Sequence, residues 1–164
     1  MSNEPTLPQG ARPDPDHAGW YRWGDLPPES FAAQTGRIVF KPAAPGNAVV
    51  RMFPEPRHMN FGGSIHGGAV MSFIDMALFS GGFSCGMARG HYVTLDLHTR
   101  FIARGQSGIP LDAHIHLLKQ TPGGLVFLTG HCEQDGAICY GFTGTLKRIK
   151  SRSETGDAAD AERR

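Results

Sequence analysis

The sequence predicts an α+β fold, with one long apolar helix wrapped by an antiparallel sheet, and three observations carry that prediction. From Ala69 to Phe79 the chain is apolar almost all the way round when plotted at 100° per residue. Val70, Phe73, Ile74 and Ala77 crowd one side, and Met71, Leu78 and Phe79 fill much of the other. Beyond this segment come successive β-like runs separated by turn signals, with no second long helical pattern between them. Two shorter β-like runs precede it. Strands that follow one another directly pair antiparallel, and a single apolar helix needs a sheet to cover it.

The chain of 164 residues suits one domain with a real core. Apolar residues make up 40% and charged residues 19%, which favours folding over disorder. A net charge of +1 carries no signature of nucleic-acid or membrane-surface binding. Met1-Ser2-Asn3-Glu4-Pro5 has neither the basic start nor the apolar run of a signal peptide. The longest apolar segment is interrupted by Asp75 and by glycines, which argues against a membrane span. A cytoplasmic location is therefore expected.

Residues 1–18 hold Pro5, Pro8, Pro13 and Pro15 among polar residues and are expected to be disordered. The domain proper is expected over 19–150, with a polar, disordered tail over 151–164. Trp20-Tyr21-Arg22-Trp23 reads as a strap docked on the body or on a neighbouring subunit. Arg37-Ile38-Val39-Phe40 and the run from Asn47 to Phe53 read as strands, divided by Pro42, Pro45 and Gly46. The helix is expected from about His66 to Gly81, with Gly81, Gly82, Gly86 and Gly90 at its exit.

Tyr92 to Phe101 alternates, placing Val93, Leu95 and Leu97 on one face and Thr94, Asp96, His98 and Arg100 on the other. Further strands are expected over 111–118, 125–132 and 137–146, the last two joined by an Asp135-Gly136 hairpin turn. That turn sets Cys132 opposite Cys139 at a distance a disulfide could span. A reducing cytosol favours free thiols, and Cys85, Cys132 and Cys139 are read as packing residues.

Asp75 is the anomaly. A carboxylate in the middle of an apolar helix is costly unless paired, hydrogen-bonded or protonated, so chemistry is its leading explanation. Before it lies the glycine loop Asn60-Phe61-Gly62-Gly63-Ser64-Ile65-His66-Gly67-Gly68. Other chemistries lack their motifs: no phosphate-binding loop, no Gly-x-Ser-x-Gly elbow, no cysteine in an electropositive loop. His114 and His116 share a strand face as i, i+2, but nothing in the sequence adds the further ligands of a zinc site, and none is expected. His98 and His131 are read in the same way, as part of an exposed strand face.

Asn60, then His66-Gly67-Gly68, then Asp75 nine residues after the histidine, and Val93-Thr94-Leu95-Asp96 downstream together resemble hotdog-fold acyl-CoA thioesterases. The branch is that typified by the phenylacetate-pathway enzymes, and the likeness covers roughly residues 35–148. It implies a hotdog fold, an acyl-CoA substrate and no metal or bound cofactor. Asp75 takes the place of the general base or nucleophile. The N–H of Gly67, with Gly68, would form the oxyanion hole at the helix start, where backbone donors point outward. Asn60 would orient water or thioester, His66 would bond near the carbonyl or fix the loop, and Thr94 would help place the water.

The resemblance further implies a homodimer with shared sites, or a pair of such dimers. Phe53, Phe61, Met71 and Phe79 suggest an apolar acyl pocket, and Arg104 and Lys119 are candidates for the coenzyme A phosphates. Two alternatives stand beside hydrolysis. One is a hydratase or dehydratase on the same fold, which generally pairs histidine with a carboxylate at other spacings. The other is a non-catalytic acyl-CoA sensor, which would need no helix carboxylate.

Overall fold

The computed structural model describes residues 7–150; residues 1–6 and the expected tail over 151–164 lie outside the described residues. Two short strands, β1 (Ala11–Pro13) and β2 (Tyr21–Trp23), come first, then a single-turn helix α1 (Phe31–Gln34). Next are β3 (Ile38–Pro42), β4 (Asn47–Met52) and the long helix α2 (Gly67–Ser84). The chain closes with β5 (His91–Phe101), β6 (Leu111–Gln120), β7 (Leu125–Gln134) and β8 (Ala137–Ile149). All eight strands form one antiparallel sheet in the order β1-β2-β3-β4-β6-β7-β8-β5.

Helix α2 packs against one face of that sheet and is buried on one side only. Val70, Phe73, Ile74, Ala77 and Leu78 are fully buried against Phe40, Val50, Ile115, Leu128 and Leu146. On the opposite stripe Gly68 and Met71 are exposed, and Ser72, Asp75 and Phe79 are half-buried. The expectation of a helix enclosed all round therefore holds within this chain for one face. The approach to β6 is close at Gly81, where an added Cβ would run into the Ile115 side chain. At its C-terminal end the Cys85 N–H bonds the Gly81 carbonyl at 2.7 Å, and Gly86 turns the chain out of the helix with a φ of 100°.

Two sequence expectations fail at irregularities in the ladder. In β5 the register slips between Thr94 and Asp96, leaving Leu95 as the extra residue of a bulge. Val93 and Leu95 consequently point outward, 40% and 56% exposed, while Thr94 turns towards α2. The Asp135-Gly136 turn forms as expected, with positive φ at both residues. A second bulge follows it, so Cys132 pairs with Tyr140 rather than Cys139, and all three cysteines are free.

The leading segment is tied down where looseness was expected. Ala11–Pro13 pairs with Tyr21–Trp23, and the Asp14 side chain is buried. Burial alone would raise the Asp14 pKa, but hydrogen bonds from Arg37, His17 and the Asp16 N–H outweigh it and hold the group at about 2. The Trp20–Trp23 strap docks on the body: Trp20 lies against Lys41 and Arg51, and the Trp23 indole donates to Ser80 Oγ at 2.9 Å.

Gly81→Ala gives a sharp test of the helix–sheet contact. Alanine favours a helix by about 1 kcal/mol over glycine, but overpacking a rigid core costs about 1–3 kcal/mol. Because the side chain in the way is the β-branched Ile115, the expected outcome is net destabilisation, read as a lower urea midpoint at unchanged slope.

Candidate functional site

The first candidate pair joins α2 to the edge strand. The Thr94 hydroxyl donates to Asp75 Oδ1 at 2.7 Å. The β5 bulge makes this contact, because it turns Thr94 inward while freeing the residues on either side. Asp75 is half-buried on the outward stripe of α2, flanked one turn away by Met71 and Phe79. The pair thus faces away from the core of its own chain.

The second cluster is the glycine loop at the helix start. Asn60 organises it: Oδ1 accepts from the N–H groups of Gly62 (2.9 Å) and Ser64 (3.2 Å), and Nδ2 donates to Ser64 Oγ (2.9 Å). His66 is the N-cap of α2, its Nδ1 accepting from the Gly68 N–H at 2.9 Å. That bond fixes the neutral tautomer with its proton on Nε2, at an exposed position. It also commits the Gly68 N–H, which the sequence had offered jointly with Gly67 to an oxyanion.

Among the described residues nothing accepts from the Gly67 N–H. It stands at the positive end of an 18-residue helix. The Phe101 ring lies against it, about one van der Waals contact from where a Cβ would sit. Sequence reasoning missed Phe101, whose only signal is its place at the end of β5.

Gly67 and Asp75 do not meet within one chain. Eight residues along an α-helix amount to about 12 Å, far more than the reach of two groups acting on one carbonyl. The remaining expected site residues also divide. Phe61 projects wholly into solvent, Met71 is exposed, and Phe79 packs partly on the core. Phe53, just past the end of β4, packs against His17 and Arg37.

Arg104 and Lys119 are exposed but lie towards opposite ends of the sheet. Arg104 precedes Gly105, whose carbonyl holds the Ile65 N–H of the glycine loop. Lys119 is eight residues from the start of β6, about 26 Å along the strand. A basic group unforeseen in the sequence gathers instead where β5 begins and β8 ends. Arg89, His91, Arg148 and Lys150 line a cavity of about 420 Å³ there, brought together by the β5–β8 pairing.

A separate cavity of about 330 Å³ adjoins the helix start, lined by Phe31, Gln34, Thr35, Met52, His58, Gly68, Ala69 and Ser72. Burial pushes the His58 pKa down, and its Nδ1 accepts from the Glu55 N–H at 2.9 Å. The cysteines offer no competing nucleophile: burial pushes the Cys85 thiol up to about 12 and raises Cys132 and Cys139 as well.

Comparison with known proteins agrees with this fold. Residues 62–127, which include His66, Gly67, Asp75 and Thr94, match the thioesterase superfamily. Human acyl-coenzyme A thioesterase 13 is 28% identical over 95 residues, covering 56% of this chain and 64% of its own length. The chain thus matches less than two thirds of that relative. The PaaI protein of the Escherichia coli phenylacetic acid degradation operon superposes with a TM-score of 0.63 at 23% identity, over 75% of this chain and 87% of its own. A hypothetical thioesterase of Streptococcus pneumoniae, solved with coenzyme A, gives 0.59 at 18%, over 71% and 91%. At such identities the structural likeness speaks for the fold. The chain has the hotdog fold, and its stretch from the glycine loop into β7 is similar to the thioesterase superfamily.

Proposed function

We propose that this chain hydrolyses an acyl-CoA thioester to a free acid and coenzyme A, in a site shared by two copies of the chain. The observation that carries the reading is the outward-facing Asp75–Thr94 pair, which has a complementary free N–H at Gly67 but not within its own reach. A twofold axis running antiparallel copies of α2 past each other sets Asp75 of one protomer beside the glycine loop of its partner. The exposed stripe of α2 and the unpaired edge of β5, with Val93 and Leu95 outward, suit burial against a second copy.

In that arrangement the thioester carbonyl oxygen takes the Gly67 N–H, whose donor is already oriented and pays no reorganisation cost as charge develops. Asp75 either removes a proton from the attacking water or attacks the carbonyl carbon itself. Thr94 holds the carboxylate in place through its hydroxyl. The C–S bond then breaks, and the departing coenzyme A thiolate takes up a proton; on the nucleophilic route water then cleaves the mixed anhydride left on Asp75, releasing the free acid and restoring the carboxylate. No metal or cofactor enters these steps. The cavity beside Gly68 is suited to the acyl part, and the cluster around Arg148 to the phosphates.

The runner-up, a non-catalytic acyl-CoA sensor, gives no reason for Asp75 to stand hydrogen-bonded on the outward stripe. The reading is tested by thiol release from short, medium, long and aryl acyl-CoAs. Wild type is expected to turn over at least one of them, and Asp75→Asn to lose more than about a hundredfold in kcat. Equal rates in the two proteins would remove Asp75 from the reaction, and binding without turnover by wild type would favour the sensor.

His66 separates structural from chemical roles. His66→Ala is expected to cost about 1 kcal/mol of stability through the lost cap, while His66→Asn restores a capping oxygen and most of that loss. If catalysis follows the cap alone, the asparagine variant retains activity within about tenfold of wild type.

A further inference from the structure

We propose that the outer face of the sheet, on the side away from α2, carries a binding site for a divalent transition-metal ion. Its ligands are His114 of β6 with His131 and Glu133 of β7. His114 and His131 are direct cross-strand partners, and Glu133 follows His131 by two residues, so the three side chains leave one face. The two imidazoles stack with centroids 4.9 Å apart and planes 12° from parallel. His114 Nε2 lies 3.0 Å from Glu133 Oε1, and one donor atom from each of the three residues lies within 4.8 Å of the others.

These separations are near what a metal requires. Ligands about 2.1 Å from a tetrahedral ion stand about 3.4 Å from one another. The His114–Glu133 pair is therefore already at ligand spacing, and the widest gap must close by at most about 1.4 Å. All three residues are half-buried, so their side chains can turn without disturbing the core. Two imidazoles and one carboxylate suit zinc, nickel or copper and suit magnesium or calcium poorly.

The neighbours are otherwise engaged. Asp112, directly across from Glu133, is held by Arg51 through two hydrogen bonds of 2.6 Å. His116 bonds Asn47 at 3.0 Å. Among the described residues, no hydrogen bond engages the ring nitrogens of His131. The site stands across the sheet from Asp75 and takes no part in hydrolysis. An ion there ties β6 to β7 and stabilises the folded chain by mass action.

The test uses the full chain without an affinity tag, stripped with chelator and titrated with zinc alone by calorimetry and thermal unfolding. One ion per chain and a melting temperature that rises with zinc are expected. His131→Ala and His114→Gln should each weaken binding by more than about tenfold, while His116→Ala binds as wild type. Thiol release by His131→Ala should match wild type. Absence of zinc binding would overturn the proposal. So would undiminished affinity in both ligand variants, which would send the ion to exposed histidines such as His66 or His98.

Discussion

The one-sided burial of α2 is the constraint from which the rest of the molecule follows. A single curved sheet covers one face of the helix and leaves the opposite stripe of Gly68, Met71, Ser72, Asp75 and Phe79 to its surroundings. Contacts at Gly81 with Ile115 and at Leu78 with Gly144 fix how the helix is seated. That seating decides which residues face outward, and it brings Asp75 within hydrogen-bond reach of Thr94 on the edge strand. An apolar stripe with one carboxylate in it is a poor surface for water and a good one for a second copy of itself.

In the proposed site the glycine loop contributes chemistry through its backbone more than through its side chains. Asn60 spends its carbonyl oxygen on two loop N–H groups, and His66 spends Nδ1 on the N–H of Gly68. Both residues hold the loop and, among the described residues, leave the Gly67 N–H unengaged at the helix terminus, where the dipole favours negative charge. A donor presented by a helix start depends on rigidity, and the side chains conserve that rigidity locally. The proposed site thus divides the labour: side chains shape, backbone polarises.

Much of this was legible in the sequence, because it rests on local pattern. The apolar helix, the strand succession and the Asp135-Gly136 turn each follow from periodicity or turn chemistry. What escaped was set by register. Alternation in β5 predicted Leu95 on the same face as Leu97, and a one-residue bulge reversed that. A second bulge separated Cys132 from Cys139. The basic cluster around Arg148 and the meeting of His114 with His131 and Glu133 depend on which strands pair, information spread over distant parts of the chain. The partner of His114 was sought two residues along its own strand; it stands across the ladder.

The central claim is that Asp75 and Gly67 act together only across two protomers, and mixing two inactive variants tests it directly. Asp75→Asn removes the carboxylate. Gly67→Pro removes the N–H at the first helical position, where proline is tolerated; His66, at φ −61° and ψ 135°, already has the backbone a following proline requires. Each variant alone should be nearly inactive in thiol release. After subunit exchange, half of the dimers are mixed and each carries one intact site of two, so activity should return to about a quarter of wild type. A mixture as inactive as its components would contradict the shared site and place the chemistry within a single chain.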